Sequence, residues 1–294
     1  MQKKRTLLSI GLLVVAACTF GSSRTIVSNA QVASVLSAAT NTNADLLLVG
    51  SAAGQLVQVD PATGTVAKTI TLWNGTTSNA IAIAPDGEDP AQVLTLHADR
   101  WVVRWAAGLA MVEWFRLPSF GNTTPCDIDE AQDGDVYASI VDGGNAWIGR
   151  RGGSSSVWFW QPVAGNACPR IAHDLYHDEL YVLQGNGVTL EHRDPDTLVV
   201  QSSVVLDADG SRMNDVDVFG GVAVGAGSVP GWLGGVQRMA WHFDADTAAE
   251  IDAQSYASGP ASSVHITVND ANNTGEMMIG GLGGATTVFG LLLL

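Results

Sequence analysis

The chain has 294 residues, with 14 Lys and Arg against 29 Asp and Glu, a net charge of −15. A surface this acidic repels phosphate backbones and anionic lipid headgroups, which excludes a nucleic-acid role. The length admits one or two domains, but no low-complexity stretch or charge run marks a boundary between them.

The first element is a leader. Lys3, Lys4 and Arg5 precede a largely apolar run of twelve residues, Thr6 to Ala17. That is the layout of a secretory signal, too short to span a bilayer comfortably. The run ends in Val15-Ala16-Ala17-Cys18, which resembles a bacterial lipobox; the resemblance implies acylation of Cys18, with 1–17 removed and 18–23 linking lipid to domain. The alternative is cleavage after Ser28-Asn29-Ala30 and secretion without an anchor. Loss of 1–17 would leave 11 basic groups against 29 acidic, a balance of −18. Lipid on Cys18 would leave Cys126 and Cys168, which an exported, oxidising compartment is expected to pair; two separate thiols are the alternative.

Beyond the leader, helical periodicity is nearly absent. Short β-rich runs alternate with Gly, Asp, Asn and Pro every 8–12 residues, as in all-β folds. Internal repetition narrows the choice. Asn79-Ala80-Ile81-Ala82-Ile83-Ala84-Pro85-Asp86-Gly87 reads as a strand entering a tight turn, and Cys126 to Gly134 repeats its layout. Weaker copies around Leu36, Ile171, Val216 and Val264 give spacings of 45, 47, 43, 45 and 48 residues. Unit one holds further strands, Asp45 to Gly50, Gln55 to Asp60 and Thr65 to Leu72. The turn Asp60-Pro61-Ala62-Thr63-Gly64 recurs as Asp194-Pro195-Asp196-Thr197 and Asp244-Ala245-Asp246-Thr247. Four antiparallel strands in about 45 residues make one propeller blade. The expectation is therefore an all-β, six-bladed propeller over residues 24–294. Its sixth unit is one strand short, and Arg24 to Asn29 would close the ring by covering an open edge. Cleavage before Cys18 keeps that strand, whereas cleavage after Ala30 discards it.

The Asp-Pro-x-Thr turns resemble those of the YVTN, NHL and quinoprotein-like propeller families, a resemblance of fold and not of activity. Ligands of such folds usually meet the starts of the innermost strands and the loops between second and third strands. The former are Asn79, Asp127, Arg170, Asn214, Asp215 and Ser263. The latter contribute His97, Asp99, Arg100 and Asn145, the Gln184 to Gly187 loop, and Trp232 in a Gly-rich segment. Gluconolactonase-like propellers hold a hard cation on acidic and amide side chains, so Asp127, Asn214 and Asp215 are the candidate ligands for a divalent cation such as calcium. Against that, no glutamate occupies a comparable position, and Arg170 adds a positive charge. A polar channel mouth with an Asp–Arg pair is the simpler expectation. His173 and His177, beside Asp174 and Asp178, read as a solvated hairpin turn. Trp101, Trp105, Trp158 and Trp160 alternate within β runs, which suits packing between blades.

No nucleophile elbow, Walker loop or dinucleotide fingerprint occurs. The sequence favours a monomeric, exported and lipid-anchored binding or scaffold protein, recognising a protein or small-molecule ligand on its loop face. A metal-dependent hydrolase or lyase at the channel mouth is the alternative.

Overall fold

The computed structural model describes residues 20–28, 32–37, 47–51, 55–59, 66–71, 80–87, 89, 92–106, 109–206, 210–230, 235–256, 261–269, 274–281 and 285–292. Cys18, Asn79 and Trp232 lie outside them. Among the described residues every element is a strand. The chain begins with β1 (Phe20–Ser28). The first sheet is β2–β5 (Val32–Ser37, Leu47–Ser51, Gln55–Val59, Val66–Thr71), and the second is β6–β9 (Ala80–Pro85, Val93–His97, Trp101–Trp105, Met111–Arg116). The third is β10–β13 (Thr124–Glu130, Val136–Asp142, Asn145–Arg151, Trp158–Val163), and the fourth is β14–β17 (Arg170–Asp174, Glu179–Leu183, Thr189–Arg193, Val200–Val205). The fifth is β18–β21 (Arg212–Phe219, Val222–Pro230, Val236–Asp244, Glu250–Ser255). The last holds β22–β24 (Ala261–Asn269, Thr274–Gly281, Ala285–Leu292), and β1 pairs antiparallel with β24 as its fourth strand.

Local chemistry makes the hairpins. In the fourth sheet Asp194 Oδ1 accepts the Thr197 N–H and hydroxyl, both at 2.8 Å, and Asp244 Oδ1 does the same for Thr247 at 2.8 and 2.6 Å. The next residue then turns left-handed, Leu198 at φ 59° and Ala248 at φ 57°.

A β-bulge recurs at the start of the first strand. Pairing skips Ala33 in β2, Ile81 in β6, Cys126 in β10, Asn214 in β18 and Ser262 in β22. Counting from the bulge makes Val35, Ile83, Ile128, Val216 and Val264 equivalent. Aligning units by the turn aspartate therefore slips unit two by two residues and unit one by one. An odd slip exchanges the two faces of a strand.

The core lies between sheets. One cluster joins the second and third through Leu94, Leu96, Val102, Ile128, Ala138 and Ile140. Another joins the third and fourth through Tyr137, Ile148, Ile171, Leu180 and Val182. Tyr181, Leu183, Val216, Trp241 and Phe243 serve the next junction, and Val224, Ala240, Val264, Ile266 and Met277 the one after. Three of the four tryptophans pack in the core: Trp105 is buried with Leu56, Ile83 and Val103, and Trp158 and Trp160 lie partly buried against the core between the second and third sheets, whereas Trp101 is half-buried with Arg116 5.4 Å over its ring. Gly149 gives the Trp160 ring room to lie flat on the strand, since a Cβ there would sit 2.6 Å from it.

First strands touch in succession, β2 with β6, then β10, β14, β18 and β22, and β22 touches β2. Aspartates bridge two of these junctions. Asp127 and Asp129 in β10 accept the N–H groups of Ile171 and His173 in β14, at 2.8 and 2.6 Å. Asp215 and Asp217 in β18 accept those of Val264 and Ile266 in β22, at 2.7 and 2.8 Å. First strands are too far apart radially to share a backbone ladder, so these side chains satisfy N–H groups that burial would otherwise leave unpaired.

Candidate functional site at the channel mouth

The bulges set the site. A bulged residue is left out of the ladder, and its side chain is re-aimed. Ile81, Cys126 and Asn214 are three such residues, and all three line a cavity of about 520 Å³ at the starts of the first strands. Arg170, Met213 and Ala261 continue the wall on β14, β18 and β22, and Leu183, Gln184 and Gly185 come from the β15–β16 hairpin. Pro125, Ala167 and Cys168 are the other described residues in it. A disulfide joins Cys126 to Cys168 with Cα atoms 5.3 Å apart, tying the third sheet to the connection that enters the fourth. The cysteine pairing read from the sequence is present.

Arg170 occupies the centre of this wall. Its Nε donates to Asn214 O at 3.2 Å and its Nη1 to Cys126 O at 2.9 Å, so the guanidinium spans β10, β14 and β18. Asp127 and Asp215 stand at the equivalent position on either side, Asp215 Oδ1 lying 4.0 Å from Arg170 Nε. Burial raises the Asp127 carboxyl to a pKa of about 6, against the pull of Arg170 and of the Ile171 and Ile128 N–H groups. Burial, then the nearby Asp127 charge, raises Asp215 as well. Asp129 is raised by burial and by Asp217.

The sequence candidates thus separate. Arg170 and Asn214 face the cavity, with Asn214 Nδ2 donating to Ala261 O at 3.0 Å. Asp127 and Asp215 lie just behind the wall as bridges between sheets. His97 is buried at the end of β7, its Nε2 2.8 Å from Thr95 Oγ1. Asp99 and Arg100 form the β7–β8 turn, where Arg100 has φ 73° and donates to Leu117 O. Asn145 is exposed in the β11–β12 turn. None of these three turn residues lines the cavity.

The residues read as a cation set already have partners within the protein. One oxygen each of Asp127 and Asp215 accepts an N–H from the next sheet, Asn214 Nδ2 donates to Ala261 O, and the Arg170 cation lies 4.0 Å from Asp215 Oδ1. Among the described residues, the group whose ligand atoms lie within 4.8 Å of one another is Asp174, His177 and Glu179, at the far end of β14. There the Asp174 carboxylate already accepts the N–H groups of Gly220, Gly221 and Tyr176, and His177 Nδ1 lies 3.0 Å away. Burial would raise its pKa, but these hydrogen bonds outweigh it and hold the group below its usual value. The hairpin expected to be solvated is so at Tyr176, His177 and Asp178, while His173 and Asp174 are buried.

Composition gave no signal for Ile81, Ala167, Leu183, Met213 or Ala261, which reach the site through bulges and loop packing. Asp129 and Asp217 were legible as the i, i+2 partners of Asp127 and Asp215.

Comparison with solved structures fits this architecture. U3-55K superimposes with a TM-score of 0.63 over 90% of this chain and 98% of that chain, at 6% sequence identity. The fold is a β-propeller. At that identity the likeness is one of fold alone, and 1617 solved chains share it to a significant degree. No family model and no curated protein matches the sequence.

Proposed function

We propose that this protein is an exported binding propeller, tethered to a membrane surface by lipid on Cys18, that takes a ligand at the channel mouth. The observation that carries the reading is the cavity of about 520 Å³, within the size range of small-molecule sites and walled by apolar groups with a few polar ones. The ring is six-bladed and closed by the N-terminal strand. Supporting this are six four-stranded sheets among the described residues, the pairing of β1 with β24, and the contact of β22 with β2. Closure by β1 supports cleavage before Cys18, and on that reading the propeller sits close to the membrane.

Ligand-observed NMR of the chain from Thr19 onward, against a fragment library, tests the binding reading. Ala167→Phe places a ring in the cavity mouth and should abolish the hits that wild type gives. Hits unaffected by that variant would place binding elsewhere and sink the reading. Palmitate labelling of the full chain in a bacterial host tests the anchor: label on the wild type and none on Cys18→Ala is expected. A metal-dependent hydrolase at the channel mouth is the alternative reading, and calcium titration calorimetry is its test.

A further inference from the structure

Arg170 has more donors than the fold uses. Its guanidinium carries five N–H groups, of which Nε–H goes to Asn214 O and one Nη1–H to Cys126 O. The Nη2 amino group has no hydrogen-bond partner among the described residues, and the residue is part of the cavity wall with 23% of its side chain exposed. Two backbone carbonyls from flanking strands hold the plane still, so little entropy is lost when the remaining edge binds a ligand.

The surroundings select the chemistry. Ile81, Leu183, Met213, Ala261 and Pro125 offer apolar surface. Among the described residues of the wall, Arg170 is the only ionisable side chain, in a chain of net charge −15. A fixed guanidinium edge matches a carboxylate in charge and geometry. We propose that the channel mouth binds a small monocarboxylate with an apolar body, its carboxylate on the Nη2 edge of Arg170 and its hydrocarbon against Leu183, Met213 and Ala261. This rests on the mouth being the ligand site. Asp215, 4.0 Å behind Arg170, shares its charge, which favours one carboxylate over a di- or tricarboxylate.

Hexanoate, its neutral isostere hexanamide and succinate are the probes, titrated calorimetrically into the chain from Thr19 onward. Hexanoate should bind at least 10-fold more tightly than hexanamide and than succinate. Arg170→Gln should weaken hexanoate at least 10-fold while leaving hexanamide within 3-fold. Because Arg170 also braces three strands, Ala167→Phe is the second variant: it leaves every Arg170 bond in place and should remove hexanoate binding with a retained far-UV spectrum. A peptide ending in a free carboxylate, compared with its amide, separates a chain terminus from a free acid, and only the small acid is expected to fit. Equal binding of hexanoate and hexanamide, blocked by Ala167→Phe, would overturn the carboxylate assignment and leave the mouth as the ligand site. Binding of neither would overturn the assignment, and fragment hits that Ala167→Phe still blocks would show the site itself survives. Loss of those hits as well would overturn both.

Discussion

Removing the Cys126–Cys168 bridge should cost more stability than most single changes in this chain. The bridge spans 42 residues. The chain-entropy relation for a loop of that length gives about 13 cal/mol/K, or about 4 kcal/mol at 25 °C. Cys126 is 3% exposed, so alanine at both positions is the right replacement, since serine would bury an extra hydroxyl. Guanidinium unfolding, followed by tryptophan fluorescence and by far-UV dichroism, gives the difference. For a protein of this size about 4 kcal/mol corresponds to a fall in Tm of roughly 8–16 °C. Dithiothreitol should lower wild type by a similar amount and leave the double variant unchanged. A loss below about 1 kcal/mol, or one that reduction of wild type fails to reproduce, would refute the reasoning.

Other consequences concern buried carboxylates and turns. With a folded pKa near 6 against 3.8 unfolded, Asp127 contributes stability that is full below pH 3.8 and is lost as pH rises through 6. Asp127→Asn should therefore flatten the pH profile of urea unfolding between about pH 4 and 6; an unchanged slope there would count against it. The lowered pKa of Asp174 works oppositely, adding stability above pH 3.8 that disappears as pH falls. Asp174→Ala strands three N–H groups, and denaturant titration at pH 7 should show a loss of at least about 3 kcal/mol. Gly149→Ala drives a Cβ against Trp160 and should cost about 1–3 kcal/mol, with a shift in tryptophan emission. Ala248→Gly should gain about 1 kcal/mol in the same assay, because the native φ of 57° suits glycine. Deleting residues 20–28 uncovers the edge of β24 and should lower Tm and promote self-association by light scattering.

The site was legible in part, and the division follows the physics. Asp127, Arg170 and Asp215 could be placed at strand starts because the repeat fixes where each unit begins. Their roles could not, because a carboxylate spent on a neighbour's N–H and one open to a ligand look alike in sequence. Cys126, Ile81 and Asn214 show the complementary case. A bulge adds one residue without any compositional mark, yet it turns that residue's side chain into the mouth.

The sequence alone determined the sheet content, the repeat of about 45 residues and the Asp-x-x-Thr turns, and it offered Cys126 with Cys168 as the expected pair. These are properties of near neighbours, of strict periodicity or of cysteine count, which a linear chain records directly. The tertiary structure decided the register of β1 on β24, that Asp127, Asp129, Asp215 and Asp217 bridge sheets, and that Arg170 faces a cavity between two carbonyls. Each depends on groups some 44 to 49 residues apart, or on opposite ends of the chain, meeting at angles set by packing of the sheets. No local pattern encodes those angles.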